Sequence, residues 1–197
     1  IKRVDYYLKF IYDYIENNYK DDEFLVSLVS DHGASFLDEE SKKNPLYSSR
    51  TKVPWMIRGG DIPHQKSYKL TENTDFFSSI LKCSDIKIEN NFSDSTCPKI
   101  LGGNVDREFA ISQTIYPSQT YKAILRDKYF EYEFESAKPV APDGKIQGKL
   151  NYIQRTMLNQ LKKSENDLRD IEKYTKIIET KIIEWNKKQS SGIGESK

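Results

Sequence analysis

An aspartate and a histidine stand side by side at Asp31 and His32, with Gly33 directly behind them. Both are metal-competent donors. A carboxylate suits hard cations such as Ca²⁺, and an imidazole pulls the preference towards Mn²⁺ or Zn²⁺. A following glycine lets the backbone turn tightly. Two ammonium groups come soon after, at Lys42 and Lys43. His64 follows Gly59-Gly60-Asp61-Ile62-Pro63 and reads as a surface loop residue. Cys83 falls on the apolar side of a helix end and Cys97 in an irregular stretch, and the pair is open to two readings, a disulfide or two free thiols.

Some element has to carry Asp31 and His32. Phe24, Leu25, Val26, Leu28 and Val29 form an apolar run with one serine inside it. Such a run predicts a strand buried on both faces, as in the middle of a parallel sheet. Ligands of open α/β sheets bind at the carboxyl ends of the strands, which is where Ser30-Asp31-His32-Gly33 begins. Ahead of the strand, Val4, Tyr7, Leu8, Ile11, Tyr14 and Ile15 recur at helical spacing, so residues 1–19 predict an amphipathic helix. Residues 34–47 hold no clear period and predict a loop over the strand end. Val53–Ile57 predicts a second short buried strand, with Pro54 confined to a place where one amide is not needed.

Further along, Thr71 or Asn73 is a candidate cap for a helix built on Phe76, Phe77, Ile80 and Leu81. Phe109–Ile115 alternates as a strand. Tyr121–Leu125 and Tyr129–Phe134, split by Arg126-Asp127-Lys128, predict an antiparallel hairpin. Ile153, Met157, Leu161, Leu168, Ile171, Ile178, Ile182 and Trp185 share roughly one stripe, which predicts a long C-terminal helix packed on its own domain or on a partner helix.

The expected organisation is therefore α/β: part of a mainly parallel central sheet with flanking helices over 1–106, then a small antiparallel subdomain over 107–138. A linker over 139–149, the long helix over 150–188 and a disordered tail over 189–197 complete it. Charged residues make up 31% of the 197 and cancel to a net +1, so composition makes no case for nucleic-acid or membrane-surface binding. No apolar run approaches a membrane span.

The order of these segments resembles the sulfatase family of the alkaline-phosphatase superfamily. LVSLVSDHG, a Lys-bearing loop, YSSRTKVPWMIRGGDIP and TDFFSSILKCSDI follow one another as in the C-terminal half of that family. Arg107-Glu108-Phe109 and Ala123–Tyr129 resemble its C-terminal sheet, extending the likeness over roughly residues 3–135. The resemblance implies metal ligands at Asp31 and His32, a divalent ion (Ca²⁺, Mn²⁺ or Zn²⁺), and a lysine on the substrate's anionic oxygens at Lys43, with Lys42 its rival. It implies cleavage of a sulfate ester in a sulfated or phosphorylated small molecule or glycan, and a periplasmic, extracellular or membrane-associated setting.

Two family features are absent from the sequence: the Cys/Ser-x-Pro-x-Arg nucleophile and the paired aspartates that complete the metal site. The resemblance thus implies a C-terminal fragment, inactive alone, whose partner is the missing N-terminal part of the same protein. Asp-His in place of Asp-Asn is commoner in the phosphonate-monoester-hydrolase and phosphoglycerol-transferase branches, so the alternative is phosphodiester or phosphonate hydrolysis, or transfer of phosphoglycerol or phosphoethanolamine. A rival of another class is a non-catalytic binding module that keeps the fold.

Overall fold

A computed structural model describes residues 2–34, 45–60, 62–87, 95–158 and 167–192. The chain divides into two compact units, one of residues 1–32 and 53–107, the other of residues 33–52 and 108–197.

In the first unit, helix α1 spans Lys2–Asn18 and strand β1 spans Leu25–Val29. Strand β2 spans Trp55–Gly59. The two strands pair antiparallel, Leu25 opposite Gly59 and Val29 opposite Trp55. This overturns the expected parallel central sheet: both sheets among the described residues are antiparallel. A parallel neighbour needs a crossover that returns the chain to the strand's starting end. Here the chain leaves β1 at Ser30 and re-enters at Trp55, at that same end. The apolar run of β1 did not discriminate, since all five of its residues are only half-buried. Its one serine has a partner, for the Trp55 indole N–H donates to Ser27 Oγ at 3.1 Å. Gly59 holds φ +108°, and a Cβ there would stand 2.0 Å from the Phe24 carbonyl oxygen, so a side chain is excluded twice over.

Helix α3 spans Asp75–Cys83, after the short helix α2 at Ser48–Thr51 in the second unit. Its fully buried residues are polar, Asp75 and Ser79, while Phe77 is half exposed. Trp55 of β2 meets Phe76 at 6.1 Å between ring centres. No side-chain bond caps this helix at its N-cap, Thr74. The Asp75 carboxylate instead accepts the Glu72 N–H at 2.9 Å.

The second unit is a four-stranded antiparallel meander of β3 (Ala110–Thr114), β4 (Thr120–Arg126), β5 (Phe130–Pro139) and β6 (Leu150–Met157), with helix α4 over Asp167–Gly192. Strict alternation builds β5. Phe130, Tyr132 and Phe134 enter the core, while Glu131, Glu133 and Glu135 lie on the other face. The β4–β5 turn falls at Asp127, whose carboxylate accepts the Tyr129 and Phe130 N–H groups at 2.7 Å each. Tyr121, Ala123, Leu125, Tyr174 and Ile178 join the aromatics of β5 in the core.

Three expectations for the C-terminal third are corrected, the first being the disordered tail from residue 189, since helix α4 runs on to Gly192. Residues 150–157 are strand and not the start of a long helix, which begins at Asp167. Ile153 and Met157 are four residues apart, a spacing that repeats on one face of a strand as well as of a helix. Pairing with β5, Ser136 opposite Leu150 and Phe130 opposite Met157, decided between them. Residues 139–149 are packed chain: Val140 and Ile146 are core residues. From α4, the Trp185 indole donates to the Gly144 carbonyl at 2.9 Å, and Asn186 brackets Ile146 by bonds to its N–H and its carbonyl at 2.9 Å each. Proline and glycine suit turns, and turns are compatible with packing.

Candidate functional site

Asp31 and His32 follow β1 by one residue, at its carboxyl end, and both are exposed, their side chains 86% and 63% accessible. The Asp31 Oδ1 accepts the His32 backbone N–H at 2.8 Å, which turns the chain and leaves Oδ2 facing the ring. His32 Nε2 stands 3.6 Å from that Oδ2. The separation is too long for a hydrogen bond. It suits a shared cation, since an oxygen and a nitrogen each about 2.0–2.2 Å from one ion lie on the order of 3–3.6 Å apart. Ser30 Oγ donates to the His32 carbonyl at 2.7 Å and closes the turn.

The backbone under this pair is held by Asn73, which the sequence marks only as a candidate helix cap. Asn73 Nδ2 donates to the Asp31 carbonyl at 2.9 Å and to the Ser30 carbonyl at 3.3 Å. Asn73 is held in turn by the entry to α3, where Asp75 is fully buried. The Asp75 carboxylate accepts Arg107 Nε at 2.7 Å and Nη2 at 2.6 Å, and the Thr96 N–H at 2.8 Å. Burial works to raise the Asp75 pKa. The bonds from Arg107, Glu72 and Thr96 outweigh it and hold the carboxyl below the ordinary carboxylate range. In the sequence, only the resemblance marks Arg107. Asp75 carried no chemical signal, because a helix-opening aspartate reads as a dipole contact.

Gly33 is needed for a different reason from the one expected. It is absent from the positive-φ residues. A Cβ on it would stand 2.0 Å from the Ser49 carbonyl oxygen, and its N–H donates to the Arg50 carbonyl at 2.7 Å. Close backbone approach excludes a side chain there. Lys42 and Lys43 lie outside the described residues. His64 is exposed. Among the described residues no group of three or more His, Cys, Asp or Glu side chains converges as a metal site.

Residues 1–86 match the family model described as Sulfatase, a span that runs from α1 through α3 and includes Asp31 and His32. It stops short of the four-stranded sheet. No curated protein and no solved structure matches the chain.

Proposed function

We infer, from the premise that residues 1–86 are a sulfatase-family segment, that the chain supplies part of the active site of a metal-dependent sulfatase-like hydrolase of the alkaline-phosphatase superfamily. In this reading Asp31 and His32 are two of the ligands of a divalent cation, Ca²⁺, Mn²⁺ or Zn²⁺. The reaction is cleavage of a sulfate ester. One observation supports the ligand roles above the others: the 3.6 Å separation of Asp31 Oδ2 and His32 Nε2 on an exposed turn after a strand. When bound, the cation offers Lewis-acid stabilisation of charge on the ester oxygens. Asn73 keeps the ligand-bearing backbone in place. Lys43 steadies the departing oxyanion, a role taken from the family order of the sequence.

Two ligands are too few for a tight site. The remainder, and the nucleophile, come from the missing N-terminal part of the same protein. The exposed apolar face of α1 supports such an additional layer: Val4, Tyr7, Ile11 and Tyr14 are each more than half accessible. A second reading within the superfamily is phosphodiester or phosphonate hydrolysis, or phosphoglycerol or phosphoethanolamine transfer. His32, standing where sulfatases more often carry asparagine, favours it.

Calorimetric titration of the full chain with Mn²⁺, Ca²⁺ and Zn²⁺ tests the ligand roles. The expected Kd is weak, on the order of 10⁻⁴–10⁻³ M. Asp31→Ala and His32→Ala should each weaken it at least tenfold. Equal affinity in both variants would remove the metal site from this turn. Aryl sulfate and aryl phosphodiester, offered to the complete enzyme, separate the two readings of the substrate.

A further inference from the structure

The two cysteines converge although they are far apart in sequence. Cys83 is the last residue of α3, and Cys97 precedes the 3-10 turn at Lys99–Leu101. Their sulfurs share one acceptor, with Cys97 Sγ 3.3 Å and Cys83 Sγ 3.8 Å from the Leu101 carbonyl oxygen. A shared acceptor places the two sulfurs in one neighbourhood of the unit. Both residues are half-buried, and both are free thiols here.

The scaffold around Cys97 is tight. The Leu101 and Gly103 N–H groups both donate to the Pro98 carbonyl, at 2.9 and 3.0 Å. A Cβ on Gly103 would stand 1.6 Å from the Cys97 carbonyl oxygen, so this turn closes against Cys97 only because residue 103 has no side chain. A pocket of about 350 Å³ opens beside it, lined by Cys97, Lys82, Thr96 and Asn104 among others. Cys97 is thus reachable by a small molecule, and Lys82 gives the pocket a cation that suits an anionic one.

We propose that Cys83 and Cys97 form an intrachain disulfide by exchange with a low-molecular-weight disulfide that enters the pocket beside Cys97. The Cys97 thiolate attacks one sulfur of the reagent. A mixed disulfide forms at Cys97, and one reagent thiolate leaves and takes up the proton that Cys97 has lost. The Cys83 thiolate then attacks the Cys97 sulfur, closing the Cys83–Cys97 bond and releasing the second reagent thiolate, which takes up the proton from Cys83. The two cysteine sulfurs are oxidised and one reagent disulfide is reduced to two thiols.

The order of attack follows from the surroundings. Burial holds the Cys97 thiol above its ordinary range, with the Asp75 charge acting the same way, while the Ser79 hydroxyl, the Lys82 charge and the Gly103 N–H partly oppose it. At Cys83 burial and the neighbouring Cys97 both push up. The thiol with the pocket is also the one with thiolate-stabilising neighbours.

The test is to treat the reduced full chain with oxidised glutathione and map linkages by mass spectrometry of a non-reduced digest. The expected product is a single 83–97 link with no glutathione retained. Cys83→Ser should instead keep one glutathione on Cys97. The oxidised wild type should melt several degrees above the reduced form, with no such difference in Cys83→Ser or Cys97→Ser. Two separate glutathione adducts on one chain, a link between chains, or thiols that stay unreacted would each overturn the proposal. It is independent of the metal reading, whose variants leave both cysteines in place.

Discussion

Asp75 is the residue on which the candidate site depends without touching it. Its buried carboxylate neutralises Arg107, which is only 13% exposed, and the two fix the start of α3 from which Asn73 reaches the Asp31 backbone. Asp75→Ala leaves a largely buried guanidinium without this partner, and the expected cost is about 3 kcal/mol at neutral pH. The sign of the pH dependence follows from the lowered pKa. The carboxylate's contribution is fully present above its unfolded value near 3.8, and it is lost as the pH falls below that through the folded value. Urea unfolding at pH 7 and again near pH 3 should therefore show the gap between wild type and Asp75→Ala narrowing in acid. A gap that stays constant would mean that the ion pair is not what stabilises the unit.

At the scale of elements, α4 shows what a hydrophobic stripe can and cannot say. Ile178 is fully buried and Tyr174 nearly so, and the Tyr174 hydroxyl donates to Asp127 Oδ2 at 3.0 Å across to the β4–β5 turn. Burial pushes the Tyr174 phenol above its ordinary range, with the Asp127 charge acting the same way. Leu168, assigned to the same stripe from sequence, is 79% exposed. Ile178→Ala should cost about 2–5 kcal/mol, while Leu168→Ala should stay within about 0.5 kcal/mol, as exposed substitutions do. Thermal unfolding of the two variants makes the comparison. Equal effects would mean that α4 does not pack on the sheet through Ile178.

For the whole molecule, the two units are unequally built. Apart from Pro98, every buried apolar side chain among the described residues belongs to the second unit, whose core runs through β4, β5, β6 and α4. The first unit buries Asp75 and Ser79 and leaves much of its apolar surface accessible. Local stability follows buried apolar contact. Amides of β4 and β5 should thus be the last to exchange with deuterium, and those of α1, β1 and β2 should exchange well before them. Uniform protection across both units would refute this ranking and the low stability assigned to the first unit.

Local chemistry was legible in the sequence wherever a short-range rule governs it. The period of α1, the alternation of β5, the turn at Asp127 and the position of Asp31-His32 at a strand end all depend on residues within a few places of one another. The sulfatase-like order of residues 1–86 was legible for the same reason, being a linear property. Tertiary structure decided whatever depends on a partner distant in the chain. It set the antiparallel sense of β1 and β2, because an apolar run carries no direction. It made residues 150–157 a strand, because an i, i+4 spacing fits both periods until β5 offers its edge. It also brought Asp75 to Arg107, Asn73 to the Asp31 backbone and Cys83 to Cys97, pairings that no local pattern encodes because the residues meet only once the chain has closed on itself.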